Sequence, residues 1–301
     1  MVAPRLAAFA MFWFATSTDH PSLTFDDRLA LHALRAAGAS AAPLLWGEFP
    51  PLLQAGDIVV VRSCWDYHLA PLRFLAWLRA LEARGVVVAN GVETLAWNLH
   101  KQYLLELHRE HNIAIPPTRL VRGGESATLG ELMAELGTTQ VVVKPAISLS
   151  AHDTERYLAP SAEVEAAFAA QCARGDMLVQ AFVEEIEHGE YSLVFFDNRY
   201  SHAVLKTPAP RDFRVQLDHG GTHGAVDPPP GVVEQGERVL AATGGSHAYA
   251  RVDLVVASGQ CLLMELELID PVLFFGFAGR AATARFVEAM QSLAGNVACV
   301  P

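Results

Sequence analysis

The sequence predicts an α/β protein whose first 95 residues or so form a parallel, doubly wound sheet and whose remainder is mixed α+β. Three observations predict it. Strand-length apolar runs alternate with helix-length amphipathic stretches near the N-terminus, the helices there stop at glycine, and a long two-stranded hairpin pattern lies late in the chain. With 301 residues, 51% of them apolar, the chain can bury a large core and divide it among two or three subdomains.

In chain order, residues 6–15 read as a buried strand, 24–37 as a helix ending at Gly38, and 56–62 (GDIVVVR) as a second strand. Residues 70–84 read as an amphipathic helix stopped by Gly85, and VVVAN follows as a third strand. RLAAFAMFWFATS also has the apolar length of a signal-peptide core, but an opening buried strand has the same composition. No run reaches the roughly 20 residues of a membrane helix. Ligands of doubly wound sheets gather beyond the carboxyl ends of the strands. There lie STDHPS and RSCWDYH, the latter bringing Arg62, Trp65, Asp66 and Tyr67. These are expected to form half of a substrate pocket, against the plainer reading of a capped helix start with ordinary loop packing.

A second unit begins near Trp97 with a helix expected to carry Lys101 on its first turn, and IPPT stops it because proline lacks an amide hydrogen. A helix at 128–136 precedes the strand QVVVKP, where Lys144 leads into a loop of small and hydroxyl-bearing residues that includes Ser148. Such a loop lets amides and hydroxyls approach anionic oxygens while one lysine supplies charge, which suits a polyphosphate. After a helix at 161–174, a strand at 176–183 runs into a connector and a further strand from Glu190. The backbone groups of Ala181 and Val183 can meet a purine edge there, with Phe182 against the ring and a carboxylate nearby for ribose. SHAVLKTPAPRDFRVQLDHGG then adds Lys206, Arg211 and Arg214 before a glycine turn.

The hairpin YARVDLVVASGQCLLMELELIDP poses the main chemical question. Residues two apart on a strand share a face, so Glu265 and Glu267 point the same way, and Asp253 across the hairpin can join them, with Arg251 on its own strand alongside. Like charges so placed repel, and one would hold its proton unless a cation lay between them. Three carboxylates with no soft ligand favour a hard cation, Mg²⁺ or Mn²⁺, bound with substrate phosphates.

Charge and cysteine usage narrow the class. The net charge of −11 argues against a general nucleic-acid or anionic-membrane binder. Among 22 basic residues only Lys101, Lys144 and Lys206 are lysine, a compact point charge without arginine's planar fork. Cys64, Cys172, Cys261 and Cys299 are widely spaced with no CxxC, which suits free thiols in a reducing, cytoplasmic setting.

A lysine on an early helix, VVVKP with a small-residue loop, VQAFVEE…GEYS, DFR…GG, ARVD and MELELIDP, in that order, resemble the ATP-grasp carboxylate–amine ligases, particularly the glutathione-synthetase and ribosomal-modification branch. The resemblance spans roughly residues 95–275 and implies an ATP-grasp fold: a Rossmann-like subdomain at 1–95, a central nucleotide-binding subdomain at 96–183 and a metal-bearing subdomain at 184–301, the last two clamping ATP. It implies that Lys101 and Lys144 contact ATP phosphates, that Gln180, Ala181, Phe182 and Val183 meet adenine, and that Glu190 or Glu187 meets ribose. Asp253, Glu265 and Glu267 would hold magnesium. Arg251 and Lys206 would offset charge on the transferring phosphoryl group and oxyanion, and Arg214 would grip the acceptor carboxylate. Two departures stand out: Glu267 stands where the family usually has Asn, and the nucleotide loop AISLSAHDT lacks the usual glycine.

The implied reaction converts a carboxylate to an acyl phosphate that an amine then attacks. The pocket walls expected from STDHPS, RSCWDY, Arg214, DHGGTHG and PVLFFGF suit a small amino acid, in a protein compatible with a homodimer. Length, Ala/Arg-rich composition and RSCWDYH are similar to those of ligases that cyclise an O-ureido amino acid in antibiotic biosynthesis; joining an amino acid or short peptide to a separate amine is the alternative. Two other classes compete. Zinc hydrolysis through His202, His219, His223 and His247 would need His219 and His223 on one helical face, which a Gly-rich segment does not ensure. A non-catalytic nucleotide-binding module would have little use for three clustered carboxylates.

Overall fold

The structure is a computed structural model that describes residues 10–149 and 151–298. Four strands, β1 (Phe12–Thr16), β2 (Ala41–Leu45), β3 (Ile58–Ser63) and β4 (Val87–Val88), form a parallel sheet in the order β2-β1-β3-β4. Helix α1 (Phe25–Ala36) follows β1, its Thr24 side chain capping the Asp27 amide, and α2 (Pro71–Glu82) starts with a proline whose missing amide hydrogen costs nothing there. The chain leaves central β1 for β2 and returns on the other side as β3, so a switch point lies between the carboxyl ends of β1 and β3. The expected parallel sheet is present. Residues 6–9 of the expected first strand lie outside the described residues, and Val87–Val88 is all of VVVAN that pairs as a strand. Edge strand β2, interrupted by Pro43, carries too weak a pattern to be read from sequence.

Two short helices, α3 (Val92–Asn98) and α4 (Tyr103–His111), lead into the second sheet. Lys101 sits in the turn just before α4 rather than in the first turn of the helix expected from near Trp97, because its amide donates to the Ala146 carbonyl at 2.8 Å and the helix begins only at Tyr103. Strand β5 (Thr118–Val121), helix α5 (Leu129–Glu135), strands β6 (Val141–Pro145) and β7 (Glu155–Tyr157), helix α6 (Ala162–Cys172) and strand β8 (Met177–Ala181) follow. Their strands pair antiparallel in the order β5-β8-β6-β7.

The third sheet comprises β9 (Glu190–Phe196), β10 (Arg199–Thr207), β11 (Thr222–Val226), β12 (Tyr249–Ala257) and β13 (Gln260–Glu267), all antiparallel in the order β11-β10-β9-β12-β13. Helix α7 (Pro230–Ala242) lies between β11 and β12, and α8 (Phe275–Ala298) follows the hairpin, broken at Gly279, where φ is 67°. Phe275 and Phe286 of α8 pack with Phe14 of β1 and Phe196 of β9, so one apolar core joins the first sheet to the third. Fully burying each such ring contributes roughly 1.5–3 kcal/mol. No helix among the described residues is long and apolar enough to cross a membrane.

Candidate active site

The turn Ser258-Gly259, both with positive φ, joins β12 to β13 and sets the register: Asp253 faces Glu265 and Arg251 faces Glu267. Carboxylate oxygens of Asp253, Glu265 and Glu267 all lie within 4.8 Å of one another, the one such group of metal-ligating side chains among the described residues. Neighbouring strands add cations. β9 pairs with both β10 and β12, which places Lys206 opposite Glu190 and Ser192 opposite Asp253.

Asp253, 1% exposed, accepts from Ser192 Oγ at 2.6 Å and from Lys206 Nζ, Arg251 Nε and Arg251 Nη2 at 3.0 Å each. Burial alone would raise its pKa, but Arg251 and Lys206 hold it well below the usual carboxylate range. Arg251 also binds Glu267, and Lys206 also binds Glu190. Lys101 Nζ meets Glu265 Oε1 at 2.5 Å and the Ser148 carbonyl at 3.1 Å. Burial pushes Glu267 up to about 7 despite Arg251, whereas Lys101 and Lys144 outweigh burial at Glu265 and lower it. The sequence left the balancing of these carboxylates to a metal; in the fold, Lys101, Lys206 and Arg251 already do part of it.

Glu265 and Glu267 of the cluster line a cleft of about 690 Å³, with Asp253 buried behind them. All three lysines of the chain line this cleft. Lys144, on β6, has Nζ 3.4 Å from Gln180 Oε1, and Gln180 in turn donates to Thr118 Oγ1. Burial lowers the Lys144 pKa, the mark of an ammonium short of counter-charge. Ala181, Phe182 and Val183 line the same region. The Ala181 amide donates to the Pro117 carbonyl and that of Phe182 to Gln140, leaving the Val183 amide as the unpaired donor of the three among the described residues. The Phe182 ring lies under the Arg156 guanidinium at 3.6 Å and edge-on to Phe213. Arg214 lines the cleft with its fork held by Asp212 through Nε and Nη2.

Several expected residues lie elsewhere. Glu187, in the helical turn Glu184–His188, lines a separate cavity of about 520 Å³, whereas Glu190 lines the main cleft, its pKa raised by burial. Ser148 lines the cleft, but its hydroxyl turns back to the Pro145 carbonyl. Of RSCWDYH only Trp65 reaches the cleft. Arg62 is 1% exposed and ties Asp27 (2.8 Å) to the Pro271 carbonyl (2.5 Å), a strut between the first sheet and the hairpin's exit. Asp66 accepts from the Trp46 indole at 2.6 Å, and Tyr67 stacks on Phe74. STDHPS contributes no lining residue; Thr24, Phe25 and Asp26 just after it do. From DHGGTHG come Asp218 and His223, and from PVLFFGF come Val272, Phe274, Gly276 and Phe277. Asp26 and Asp270 also line the cleft and were not foreseen: the first reads as an ordinary acidic residue in a helix's first turn, the second as the end of a strand.

The histidines do not converge on a zinc site. His202 bonds the Leu273 carbonyl, His223 the Val215 carbonyl, and His247 the Thr243 hydroxyl, while His219 closes a short turn. Cys64 is fully buried in the core around β3 and its thiol pKa is pushed well up by burial, which makes it a packing residue. Cys172 and Cys261 are free thiols, and Cys299 lies outside the described residues.

A family profile described as the N-terminal domain of the D-cycloserine synthetase DcsG matches residues 12–90. The cycloserine biosynthesis protein DcsG of Streptomyces lavendulae is 29% identical over 297 residues, covering 92% of this chain and 97% of the relative. The crystal structure of D-cycloserine synthetase DcsG superposes with a TM-score of 0.84 at 27% identity, covering 96% of this chain and all of that one. D-alanine–D-alanine ligase of Bacillus anthracis, solved with ATP, shares the fold at 13% identity and a TM-score of 0.67, covering 96% of this chain and 98% of that one. A parallel first sheet, two further antiparallel sheets around a lysine-lined cleft and these similarities lead to one conclusion: the chain has the ATP-grasp ligase fold and is similar over nearly its whole length to the D-cycloserine synthetase DcsG.

Proposed function

We propose that this protein is an ATP-dependent ligase that activates the carboxylate of a small amino acid as an acyl phosphate, and that its reaction closes the ring of D-cycloserine on O-ureido-D-serine. The observation that carries the reading is the convergence of Lys101, Lys144, Lys206 and Arg251 with Glu265 and Glu267 on one cleft. Similarity to DcsG over nearly the whole chain supports the substrate, and a cleft of about 690 Å³ walled by Trp65, Phe274 and Phe277 suits a small one. Sheets built from 12–88, 118–181 and 190–267 support the division into subdomains at 1–95, 96–183 and 184–301. The free thiols of Cys64, Cys172 and Cys261 support a cytoplasmic setting.

In this reading Gln180, Phe182 and the Val183 amide receive the adenine, Glu190 the ribose, and Lys101 and Lys144 the phosphates. Asp253, Glu265 and Glu267 form an all-oxygen donor set that fits Mg²⁺ or Mn²⁺. Such an ion would supply positive charge that offsets the phosphates during transfer. A carboxylate oxygen of the substrate attacks the γ-phosphorus and ADP leaves. The ureido nitrogen next to oxygen then bonds to the acyl carbon and loses a proton, and phosphate departs with one former carboxylate oxygen; water hydrolyses the carbamoyl group left on that nitrogen, which departs as carbon dioxide and ammonia. The chain's task is to position groups and neutralise charge. Arg251, fixed by Asp253, and Lys206 stabilise negative charge on the phosphoryl group and the tetrahedral oxyanion. Arg214, pre-set by Asp212, orients the substrate carboxylate, because a held fork gives up less freedom on binding.

The test is a mass-resolved product assay with ATP, Mg²⁺ and O-ureido-D-serine, run beside mixtures of D-amino acids. D-cycloserine with one ADP per ring is the expected result. A linear dipeptide formed in its place would mean an intermolecular ligase.

A further inference from the structure

Asp26 and Asp270 reach the cleft from different elements, Asp26 from the first turn of α1 and Asp270 from the loop after β13. Asp270 is 3% exposed, and its Oδ2 is buried with no hydrogen-bond partner among the described residues. Asp26 accepts from the Gly276 amide through Oδ1 at 3.1 Å, while its Oδ2 is likewise buried and unpartnered. Leaving a buried carboxyl oxygen without a donor is costly, more so when it is ionised. Two such oxygens in the lining of one cleft are therefore poised for donors that arrive with a ligand.

The ligand's charge follows from what surrounds them. Arg62, the cation whose charge acts on both carboxyls, is bound to Asp27 and the Pro271 carbonyl and is not part of the cleft wall. Burial raises the pKa of both groups, Asp270 strongly, and a cation bound in the cleft beside them would reverse that. A metal ion is the poorer match, since the one three-residue ligand cluster among the described residues includes neither aspartate. Phe25, Trp65 and Phe277 line the same cleft. A compact cation with several N–H donors beside aromatic faces is an ammonium group.

We propose that Asp26 and Asp270 form the subsite that receives the α-ammonium group of the amino-acid substrate, each through its Oδ2. This rests on the reading of the cleft as an amino-acid ligase site and names the residues that would select an amino acid over a simple carboxylic acid.

ADP release is measured for the parent, Asp270→Asn and Asp26→Asn at saturating ATP, with O-ureido-D-serine and with its desamino analogue, in which hydrogen replaces the ammonium group. Each variant is expected to raise the KM for O-ureido-D-serine at least ~30-fold with the KM for ATP within about two-fold, and to lose most of the parent's preference over the desamino analogue. A parent inactive on O-ureido-D-serine would overturn the substrate assignment rather than the subsite. The subsite is then decided by the thermal shift that D-serine, D-alanine and their desamino analogues add to protein already holding AMP-PNP and Mg²⁺. An ammonium-dependent shift in the parent that both variants lose, with the nucleotide's own shift retained, supports the subsite. Parent-like KM and discrimination in either folded variant, or no ammonium-dependent shift in the parent, overturns it. The two aspartates sit on different elements, so misfolding of one variant leaves the other to decide.

Discussion

Lys144 differs from the other two lysines of the cleft: Lys101 and Lys206 each bind a carboxylate, whereas among the described residues the Lys144 ammonium has only the Gln180 amide oxygen, at 3.4 Å. An anion therefore gains most at Lys144. Lys144→Ala is expected to weaken ATP binding by about 1.5–3 kcal/mol while leaving the unfolding midpoint nearly unchanged, read by calorimetry and thermal melting. Unaltered nucleotide affinity would remove Lys144 from the site. Glu267→Asn takes one charge from the carboxylate cluster and leaves Arg251 its bonds to Asp253. Partial activity with a several-fold higher half-saturating Mg²⁺ concentration is expected in a metal titration; a parent-like titration would separate Glu267 from the metal. The cluster was legible in the sequence because strand alternation and a two-residue turn dictate which side chains meet. Arg62, Asp66 and Tyr67 were misread for a physical reason: a polar residue just past a strand can face the ligand or tie neighbouring elements together, and spacing does not say which. Glu187 and Glu190 could not be ranked because the direction of the helical turn Glu184–His188 is set by packing.

The element that carries two of the three carboxylates, β13, is an edge strand stitched to the first half of the chain by asparagines. Asn98, the last residue of α3, donates to the Leu266 carbonyl at 2.8 Å and accepts from the Leu268 amide at 2.9 Å. Asn90, with φ of 68°, bridges the Tyr249 and Leu268 carbonyls. These bonds satisfy an edge that would otherwise be buried unpaired, and they fix Glu267 between two anchored leucines. Asn98→Ala orphans one donor and one acceptor, so stability should fall by roughly 2–5 kcal/mol in denaturant unfolding. A loss under about 1 kcal/mol would mean that water replaces the asparagine. Such long-range stitching leaves no periodic signal in sequence. The break in α8 is equally local: Gly279 interrupts an apolar stretch that otherwise reads only as pocket wall, and α7 went unread beside the glycine-rich loop.

Across the whole molecule, α8 and the Phe14–Phe196–Phe286 core lock the first and third sheets together, and Trp65, Asp26 and Asp270 meet the cleft along that seam. Stability of this assembly should depend on pH through His247, which is 1% exposed and whose pKa burial lowers from 6.5 to about 4. The unfolded chain takes up a proton below about pH 6.5 and the folded chain does not, so this contribution is complete above pH 6.5 and is lost as pH falls toward 4. It amounts to at most about 3 kcal/mol. His247→Asn should flatten the slope of unfolding free energy against pH in that window; an identical slope would place the histidine's titration elsewhere. The order of motifs made the fold legible, and with it the meeting of Lys101, Lys144 and Gln180–Val183 on one cleft, while the part of the cleft around Asp26 and Asp270, tied together by bonds between segments more than 200 residues apart, was not. Phosphorylation of a substrate carboxylate would carry one of its oxygens into the released phosphate. O-ureido-D-serine labelled with ¹⁸O in both carboxylate oxygens is turned over with ATP and Mg²⁺, and the released phosphate is analysed by mass spectrometry. One ¹⁸O atom in each phosphate is the predicted result, and unlabelled phosphate released in step with ring closure would contradict it.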